Sequence, residues 1–467
     1  MLVALVVTVS PGHGKETLAN TLAKDRVLLN ASRMPIRIGR YSPFAEFKAR
    51  LSRRLDDCSK SASIDSARDK PLEIALPTKR RIAALVACAN DLDLPAGSPA
   101  QSGAITVALW RALLPGVALP TLTDRVDSLT LSFEATDFSD PPIWNFCQDT
   151  PAKPDQRPGA ILAGAPCHNA TDPCSMLTWG PRGATAGQGA EIQWILWKLY
   201  NEDRDQLVRA FGPEYANVTR YLALKRPSPV SCDGTSPVEH FMCAAWLSPE
   251  RRQRWSAGLL KLGGSKLVRN IYRTLYAGLE FDGYKMVEYF QLWRSIGLTP
   301  SEVDYAYFFD RATHIGAPPA PGSPARAQFE MCISRDFPIG GIPQMRRPKA
   351  RRCLALSHPH ATQPVDRLGR DVSYYRAAYP VGTLSALEER RWQYHIPLDA
   401  ALQFGLSDQR LIDAEEMKIK QLPPEDHPPQ TSEDLTETEL ACPLRVRRPI
   451  RRPPPASEAA KPSSPQK

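Results

Sequence analysis

Apolar residues recur at helical spacing through most of the chain between Pro77 and Gly316. Runs such as "TKRRIAALVACANDL", "EIQWILWKLYNE" and "SEVDYAYFFDRATHIG" place apolar side chains three and four positions apart, which predicts amphipathic helices. Strand-like alternation is rare, and the Gly-rich stretch at residues 177–187 predicts one short β-hairpin. The pattern therefore predicts a mainly α fold, of the α+β kind, in which one hairpin lies among helices.

The same pattern divides the chain into four parts. Residues 1–75 join a short apolar start to a basic, Ser-rich run, and we interpret them as a leader or a weakly ordered N-terminal segment. Residues 76–318 form the predicted helical domain. Pro, Gly and Arg interrupt residues 319–420, which we interpret as an irregular Pro/Arg-rich extension, and the composition of residues 421–467 is typical of a disordered tail.

Composition limits the class of protein. The 467 residues carry a formal net charge of +9, yet the basic clusters lie in Pro-rich context without zinc-finger spacing or an RNA-binding signature. We therefore expect no nucleic-acid partner. The 10 cysteines include no C-x-x-C pair, and their even number favours an exported, disulfide-bonded protein, secreted or periplasmic in a bacterium. No apolar run approaches the roughly 18 to 20 residues of a membrane-spanning helix.

The N-terminus allows two interpretations. The segment "MLVALVVTVSPGHG" has the apolar core of a signal peptide but no basic residue before it. Together with Gly14 and Lys15 it also resembles the strand, turn and helix of a nucleotide-binding loop. That loop requires glycine where Val9 stands and a hydroxyl where Glu16 stands. A nucleotide-dependent enzyme is therefore the weaker alternative, and no cofactor is expected.

Acidic residues flank the predicted hairpin. Glu134 ends an apolar-patterned helix, where neighbouring Leu and Phe side chains would disfavour its charged form and keep it protonated as a general acid. Asp172 precedes the hairpin in a polar loop, where it would stay ionised. An acid and a carboxylate on opposite sides of a cleft are what hydrolysis of a glycosidic bond requires. Four other carboxylates compete with Asp172 for the role of base: Asp137, Asp140, Asp149 and Asp155.

Four stretches occur in an order that points to a family: "LSFEATDF", "DPCSMLTWG", "ATAGQGAEIQWIL" and "DYAYFFDRATHIG". As an ordered set they resemble the chitosanases of glycoside hydrolase family 46, members of the lysozyme-like superfamily. The resemblance covers about residues 120–318 and implies a lysozyme-like fold whose hairpin lines a cleft. It also implies hydrolysis, with inversion, of β-1,4 bonds in an amino-sugar polymer, either chitosan or peptidoglycan.

The resemblance assigns the catalytic roles to residues around the hairpin. Glu134 would be the general acid, Asp172 the general base, and Thr178 the residue that orients the attacking water. Trp179, on the hairpin, would stack on a sugar ring.

Further residues are assigned to substrate binding. Glu191 begins the helix after the hairpin and would hold the substrate, and we add Arg182 of the hairpin turn. Asp310 and His314 lie one helical turn apart, and they would either shape the cleft or form a packed pair beneath it. No metal ion is expected. Because the chain is basic, anionic peptidoglycan competes with chitosan as the substrate. The alternative function is a non-catalytic carbohydrate- or envelope-binding protein that kept the fold.

Overall fold

The computed structural model describes residues 25–30, 35–58, 69–134, 136–144, 175–187, 190–223, 237–277, 284–336, 343–357, 367–393 and 403–412. The predicted base Asp172 lies outside these ranges, as do its competitors Asp149 and Asp155. The Gly14-Lys15 turn and the tail at residues 421–467 lie outside them as well.

The described residues are mostly helical with small sheets, which confirms the mainly α prediction. The strands are β1 (Val27–Leu29), β2 (Ile36–Arg37), β3 (Glu73–Ile74), β4 (Ile105–Thr106), β5 (Ile143–Trp144), β6 (Ser175–Trp179) and β7 (Ala184–Gly187). Strand β1 pairs with β4, β2 pairs with β3, and the third sheet has the order β5-β6-β7.

Helices occupy most of the remaining described chain. The first seven are α1 (Pro43–Cys58), α2 (Leu76–Cys88), α3 (Val107–Leu113), α4 (Leu122–Glu134), α5 (Glu191–Glu202), α6 (Arg204–Phe211) and α7 (Tyr215–Val218). The others are α8 (Pro237–Leu247), α9 (Pro249–Gly263), α10 (Lys266–Ala277), α11 (Tyr284–Ser295), α12 (Glu302–His314), α13 (Pro324–Asp336), α14 (Pro343–Ser357), α15 (Arg367–Ser373) and α16 (Ala386–Gln393). The three runs quoted for their helical spacing fall in α2, α5 and α12, which confirms those helices.

The chain separates into two compact units that do not follow its order in sequence. Unit 1 comprises Met1–Pro141, Trp179–Ala184 and Leu259–Glu425. Unit 2 comprises Pro142–Thr178, Thr185–Gly258 and Asp426–Lys467. Of the predicted site residues that the structure describes, Thr178 and Glu191 belong to unit 2, and the others belong to unit 1.

The described part of residues 1–75 is an ordered piece of unit 1, contrary to the prediction of a weakly ordered segment. Helix α1 buries Phe44, Phe47 and Leu51 completely, and the Phe47 ring stacks on the Trp110 ring at 5.4 Å between centroids. The basic residues that suggested disorder include Arg53, which lies on the exposed face of this amphipathic helix. Burial of aromatic side chains on the opposite face decides the conformation.

Residues 319–420 are not an irregular extension either, because their described part contains helices α13 to α16. Pro324 and Pro343 are the first residues of α13 and α14, a position where proline is compatible with a helix. Arg351 and Arg367 are buried rather than solvated. Arg351 donates to Asp304 at 2.6 Å, and this ion pair joins α14 to α12.

The predicted hairpin is formed by β6 and β7, with β5 paired beside β6. Its turn contains Gly180 at φ +82°, where a Cβ atom would lie 2.8 Å from the Tyr272 ring. Only glycine fits this backbone conformation and this close approach. In the sheet, Thr178 stands opposite Ile143 of β5.

Helix α4, which ends at Glu134, begins after Thr121, whose side chain caps it. The Thr121 side chain accepts from the Asp124 backbone N–H at 3.1 Å, and the Thr121 N–H donates to the Asp124 carboxylate at 2.9 Å. This is a reciprocal capping box in which Thr121 is the cap.

Two disulfides join described cysteines, Cys58 to Cys88 and Cys332 to Cys353. The first links the ends of α1 and α2, and the second links α13 to α14. Within the described ranges, the helices are too short or too polar to cross a bilayer.

Candidate functional site

Glu134 stands at the C-terminal end of α4, where a guanidinium holds its carboxylate. Nη1 of Arg370 donates to Oε1 of Glu134 at 2.6 Å, and the Arg370 guanidinium lies 5.0 Å from the centre of the Phe133 ring. The other carboxylate oxygen, Oε2, makes no hydrogen bond within the described residues. The surroundings of Glu134 are therefore more polar than the sequence predicts, because an arginine from α15 reaches the helix end.

Arg370 connects Glu134 to a chain of buried charges that we name the Glu134 network. Its members are Glu134, Asp310, Arg311, Arg367, Arg370 and Asp371. Arg370 lies 3.4 Å from Asp310, which pairs with Arg367 at 2.5 Å. Asp371 pairs with Arg367 at 2.8 Å and with Arg311 at 2.7 Å. Three carboxylates and three guanidinium groups thus balance in charge.

Solvent access within the Glu134 network is uneven. The side chains of Arg311, Arg367, Asp310 and Asp371 are 0% exposed, and that of Arg370 is 4% exposed. The side chain of Glu134 is 23% exposed. Glu134 is therefore the solvent-accessible end of a network whose other side chains are buried. A group that reacts with a substrate requires such access.

Mutual pairing keeps the interior of the Glu134 network ionised. Burial opposes the charge of Asp371, but Arg311 and Arg367 outweigh that penalty and lower the pKa of Asp371. Burial likewise opposes the charge of Arg367, and Asp310 and Asp371 raise its pKa in spite of it. The buried part of the network is therefore a fixed framework of charges that positions Arg370 beneath Glu134.

His314, on the last turn of α12, lies beside this network. Burial lowers the pKa of His314, and the positive charges of Arg367 and Arg370 act in the same direction against Asp310 and Glu134. Nδ1 of His314 is buried and has no hydrogen-bond partner in the part of the chain that the structure describes. Three predicted site residues, Glu134, Asp310 and His314, are therefore brought together in one cluster.

A pH dependence of stability follows from His314. Its pKa is lower in the folded chain than the usual value near 6.5, so the unfolded chain binds more protons below about pH 6.5. We expect the free energy of unfolding to be highest above that pH and to fall as the pH decreases towards the lowered folded pKa. One proton contributes a slope of at most about 1.4 kcal/mol per pH unit. Urea unfolding between pH 5 and 8 should show this slope in the wild type and a flatter dependence in His314→Gln. Equal slopes would contradict the prediction.

Trp179 lies in the core of unit 1 instead of forming a sugar platform. Its residue is 2% exposed, and its ring packs at 5.5 Å from the Phe138 ring and at 6.1 Å from the Tyr272 ring. Alternation along β6 turns Trp179 to the buried side. Thr178, the preceding residue, is half-buried in unit 2 and has an interaction partner within the chain.

Arg182 is buried as well, which corrects its assignment to substrate binding. It is 4% exposed, its guanidinium lies 3.5 Å from the centre of the Phe309 ring, and it forms an ion pair with Asp127 of α4. Its backbone N–H donates to the Tyr272 hydroxyl at 2.9 Å. These contacts anchor the hairpin turn within unit 1 and leave no surface for a sugar.

The Glu191 side chain links the first turn of α5 to strand β7 in unit 2. Its Oε2 accepts from the Thr185 hydroxyl at 2.7 Å and from the Thr185 backbone N–H at 3.2 Å. The carboxylate also stands in the first turn of α5, where the helix dipole favours its charge. The bonds to Thr185 give Glu191 a structural role.

The competing bases Asp137 and Asp140 are engaged in the loop after α4. The Asp137 carboxylate accepts from the backbone N–H groups of Arg40 and Phe138, both at 2.8 Å. The Asp140 carboxylate accepts from the Asp137 N–H at 2.7 Å and pairs with Arg37 at 2.9 Å. Because these bonds hold the loop together, both residues are poorly placed to activate a water.

Arg370 and Arg367 were not predicted as site residues from the sequence. Both lie in the segment "RLGRDVS", which belongs to the region interpreted as an irregular extension. The available signal was weak, namely arginines at helical spacing beside leucine and valine, which also occurs on solvated helices. Their role depends on a contact with α4 and α12 that no local pattern reveals.

Among the described residues, no group of three or more His, Cys, Asp or Glu side chains could hold a metal ion. Comparison of the chain with protein-family models, with curated proteins and with solved structures found no match.

Proposed function

We propose that the chain is a glycoside hydrolase of lysozyme-like fold that cleaves β-1,4 bonds of an amino-sugar polymer with inversion. Glu134 is its general acid and Asp172 its general base, and Thr178 orients the attacking water. Disulfides between described cysteines support a secreted or periplasmic location, where such polymers occur.

The state of the Glu134 carboxyl supports the proposal most strongly. Arg370 fixes one of its oxygens, and Oε2 is left without a hydrogen bond in the described residues. Because Arg370 is itself held near Asp310, the carboxyl cannot turn freely away from the position in which it is held. A general acid requires this combination of fixed geometry and a free oxygen that delivers the proton to the leaving group.

The decisive assay measures release of reducing ends from chitosan and from purified peptidoglycan. We expect the wild type to cleave one of the two polymers, and both Glu134→Gln and Asp172→Asn to lose that activity while they keep the wild-type circular dichroism spectrum. A wild type that is inert on both polymers would refute the hydrolase proposal. Full activity of Glu134→Gln would refute the role of Glu134.

One observation favours a second function, binding without turnover. The ion pair of Glu134 with Arg370 joins α4 to α15, so the Glu134 carboxylate already has a structural role. A non-catalytic carbohydrate-binding protein would bind the polymer in a pull-down assay and release no reducing ends. In that case Glu134→Gln and the wild type would be indistinguishable in both measurements.

A further inference from the structure

A pocket lies in unit 1 along the face of α4 that precedes Glu134. Asp124, Asp127 and Leu131 line it from α4, and Arg269 and Arg273 line it from α10. Its space, counted together with the open solvent at its mouth, is about 400 Å³. Leu131 is one turn before Glu134, about 5 Å along the helix axis. A polymer held at Glu134 therefore has this pocket within reach of a neighbouring sugar unit.

Three aspartates line the pocket, Asp124, Asp127 and Asp137, and each already has partners within the protein. Arg273 donates to Asp124 at 2.7 Å and to Asp127 at 3.2 Å. Asp127 also pairs with Arg182. The Asp137 carboxylate accepts from the backbone N–H groups of Arg40 and Phe138. Because guanidinium groups neutralise Asp124 and Asp127 and backbone donors satisfy Asp137, the pocket has little need of a cationic ligand.

Arg269 differs from the other arginines around the pocket, because it forms no ion pair with any described residue. It is half-buried, donates one hydrogen bond from Nη1 to the Gly263 carbonyl at 2.9 Å, and covers the Tyr41 ring at 4.3 Å. Burial lowers the pKa of Arg269, and the charge of Arg273 acts in the same direction, against Tyr41 and Asp137. A guanidinium has five N–H donors in a planar fork, so most of those of Arg269 are left for a ligand.

The geometry points to a binding site for a carboxylate-bearing sugar residue in this pocket, with Arg269 and Arg273 as the donors to the carboxylate. A carboxylate is the ligand that a guanidinium fork matches best, through two parallel hydrogen bonds. It would also offset the repulsion between the two arginines. The carboxylate specificity stands on the pocket alone, and the assignment to a sugar rests on the proposed function.

The consequence is a choice of substrate class. Chitosan carries ammonium groups and no carboxylates, whereas the muramic acid of peptidoglycan carries a lactyl group whose carboxylate is free on glycan strands that have lost the stem peptide. The site therefore favours an anionic amino-sugar polymer. The net charge of +9 agrees with this choice, because a basic protein accumulates at an anionic polymer.

The test uses two ligands that differ only in the 3-O-lactyl group, which carries the carboxylate: N-acetylmuramic acid and N-acetylglucosamine. Their affinities for the full chain are measured by calorimetry at low salt. We expect N-acetylmuramic acid to bind about tenfold more tightly or better, because it gains charge-assisted hydrogen bonds. Arg269→Gln should reduce this ratio to about one, and Arg269→Lys should leave it in between, because lysine keeps the charge and loses the fork.

Lys266→Gln is the matched control, because it removes one positive charge from an exposed position of the same helix. It should keep the wild-type ratio. Equal affinities of the two sugars for the wild type, or a ratio unchanged in Arg269→Gln, would overturn the inference. Glucuronic acid and glucose are a second pair of ligands. If the site recognises the carboxylate alone, glucuronic acid should bind more tightly than glucose by a similar ratio. Without this preference, the site recognises the lactyl group. Since neither monosaccharide contains a bond to cleave, the affinity ratio is measured without turnover and can be confirmed even if the hydrolase proposal fails.

Discussion

Asp371→Asn is expected to lower the free energy of unfolding by about 3 to 5 kcal/mol. The Asp371 carboxylate accepts from Arg311 at 2.7 Å and from Arg367 at 2.8 Å, and all three side chains are 0% exposed. Asparagine keeps the volume, but its neutral amide turns an N–H₂ group towards a guanidinium. Two buried positive charges then lose the carboxylate that they share.

Urea unfolding followed by circular dichroism measures this effect, and Glu330→Gln is the matched control. Glu330 pairs with Arg326 on the surface of the same unit, with its own side chain 57% exposed. Exposed pairs contribute about 0 to 1 kcal/mol, so this control should unfold nearly like the wild type. Equal effects of the two substitutions would show that the buried network does not hold unit 1 together.

The sign of the pH dependence gives a second readout for Asp371. Its pKa is lowered in the folded chain, so its contribution to stability is complete above the usual value near 3.9. That contribution is lost as the pH falls from there through the lowered pKa. The difference in unfolding free energy between wild type and Asp371→Asn should therefore shrink in acid.

Glu134→Gln is expected to reduce turnover of the polymer by about a thousandfold, within the usual contribution of a positioned general acid. The substitution keeps an acceptor for Arg370 and removes the proton that the leaving oxygen needs. Reducing-end release measures the loss, and Glu202→Gln, which removes a partly exposed carboxylate from α5, should keep wild-type activity.

The chemistry of the leaving group separates proton donation from a structural role. A dinitrophenyl glycoside of the same sugar has a leaving group that departs without protonation, so Glu134→Gln should cleave it with a much smaller loss. Equal losses on the polymer and on the activated substrate would mean that Glu134 only positions its neighbours. Unfolding measurements on the same variant check that the network is intact.

The helices and the hairpin could be predicted because their signals are local. In α5 and α12 the apolar positions repeat every three or four residues, and the glycines between β6 and β7 mark a turn. Helix α1 was not predicted, because charges on its exposed face concealed a buried aromatic face. Helices α14 and α15 were not predicted either, because buried and solvated arginines cannot be distinguished in a sequence.

The candidate site could be predicted only in part. Glu134 and the pair Asp310 and His314 were selected from local patterns, and the structure places them in one cluster. Trp179 and Arg182 were selected from the same hairpin, and both are buried in packing contacts. Local patterns identify a polar or aromatic side chain on a turn, but the elements that cover that turn decide its exposure.

The sequence alone thus determined a mainly helical chain with one hairpin, together with the position of a carboxylate at the end of α4. Helical periodicity and turn chemistry depend on a few neighbouring residues, so they can be recognised in the sequence before the fold is known. Only the tertiary structure determined which side chains that carboxylate contacts. The contact between Arg370 and Glu134 joins residues 236 positions apart, and the charge network behind it comes from α12 and α15. Such pairs form because buried charges require partners, and the fold, rather than the spacing in the sequence, determines which partners are near.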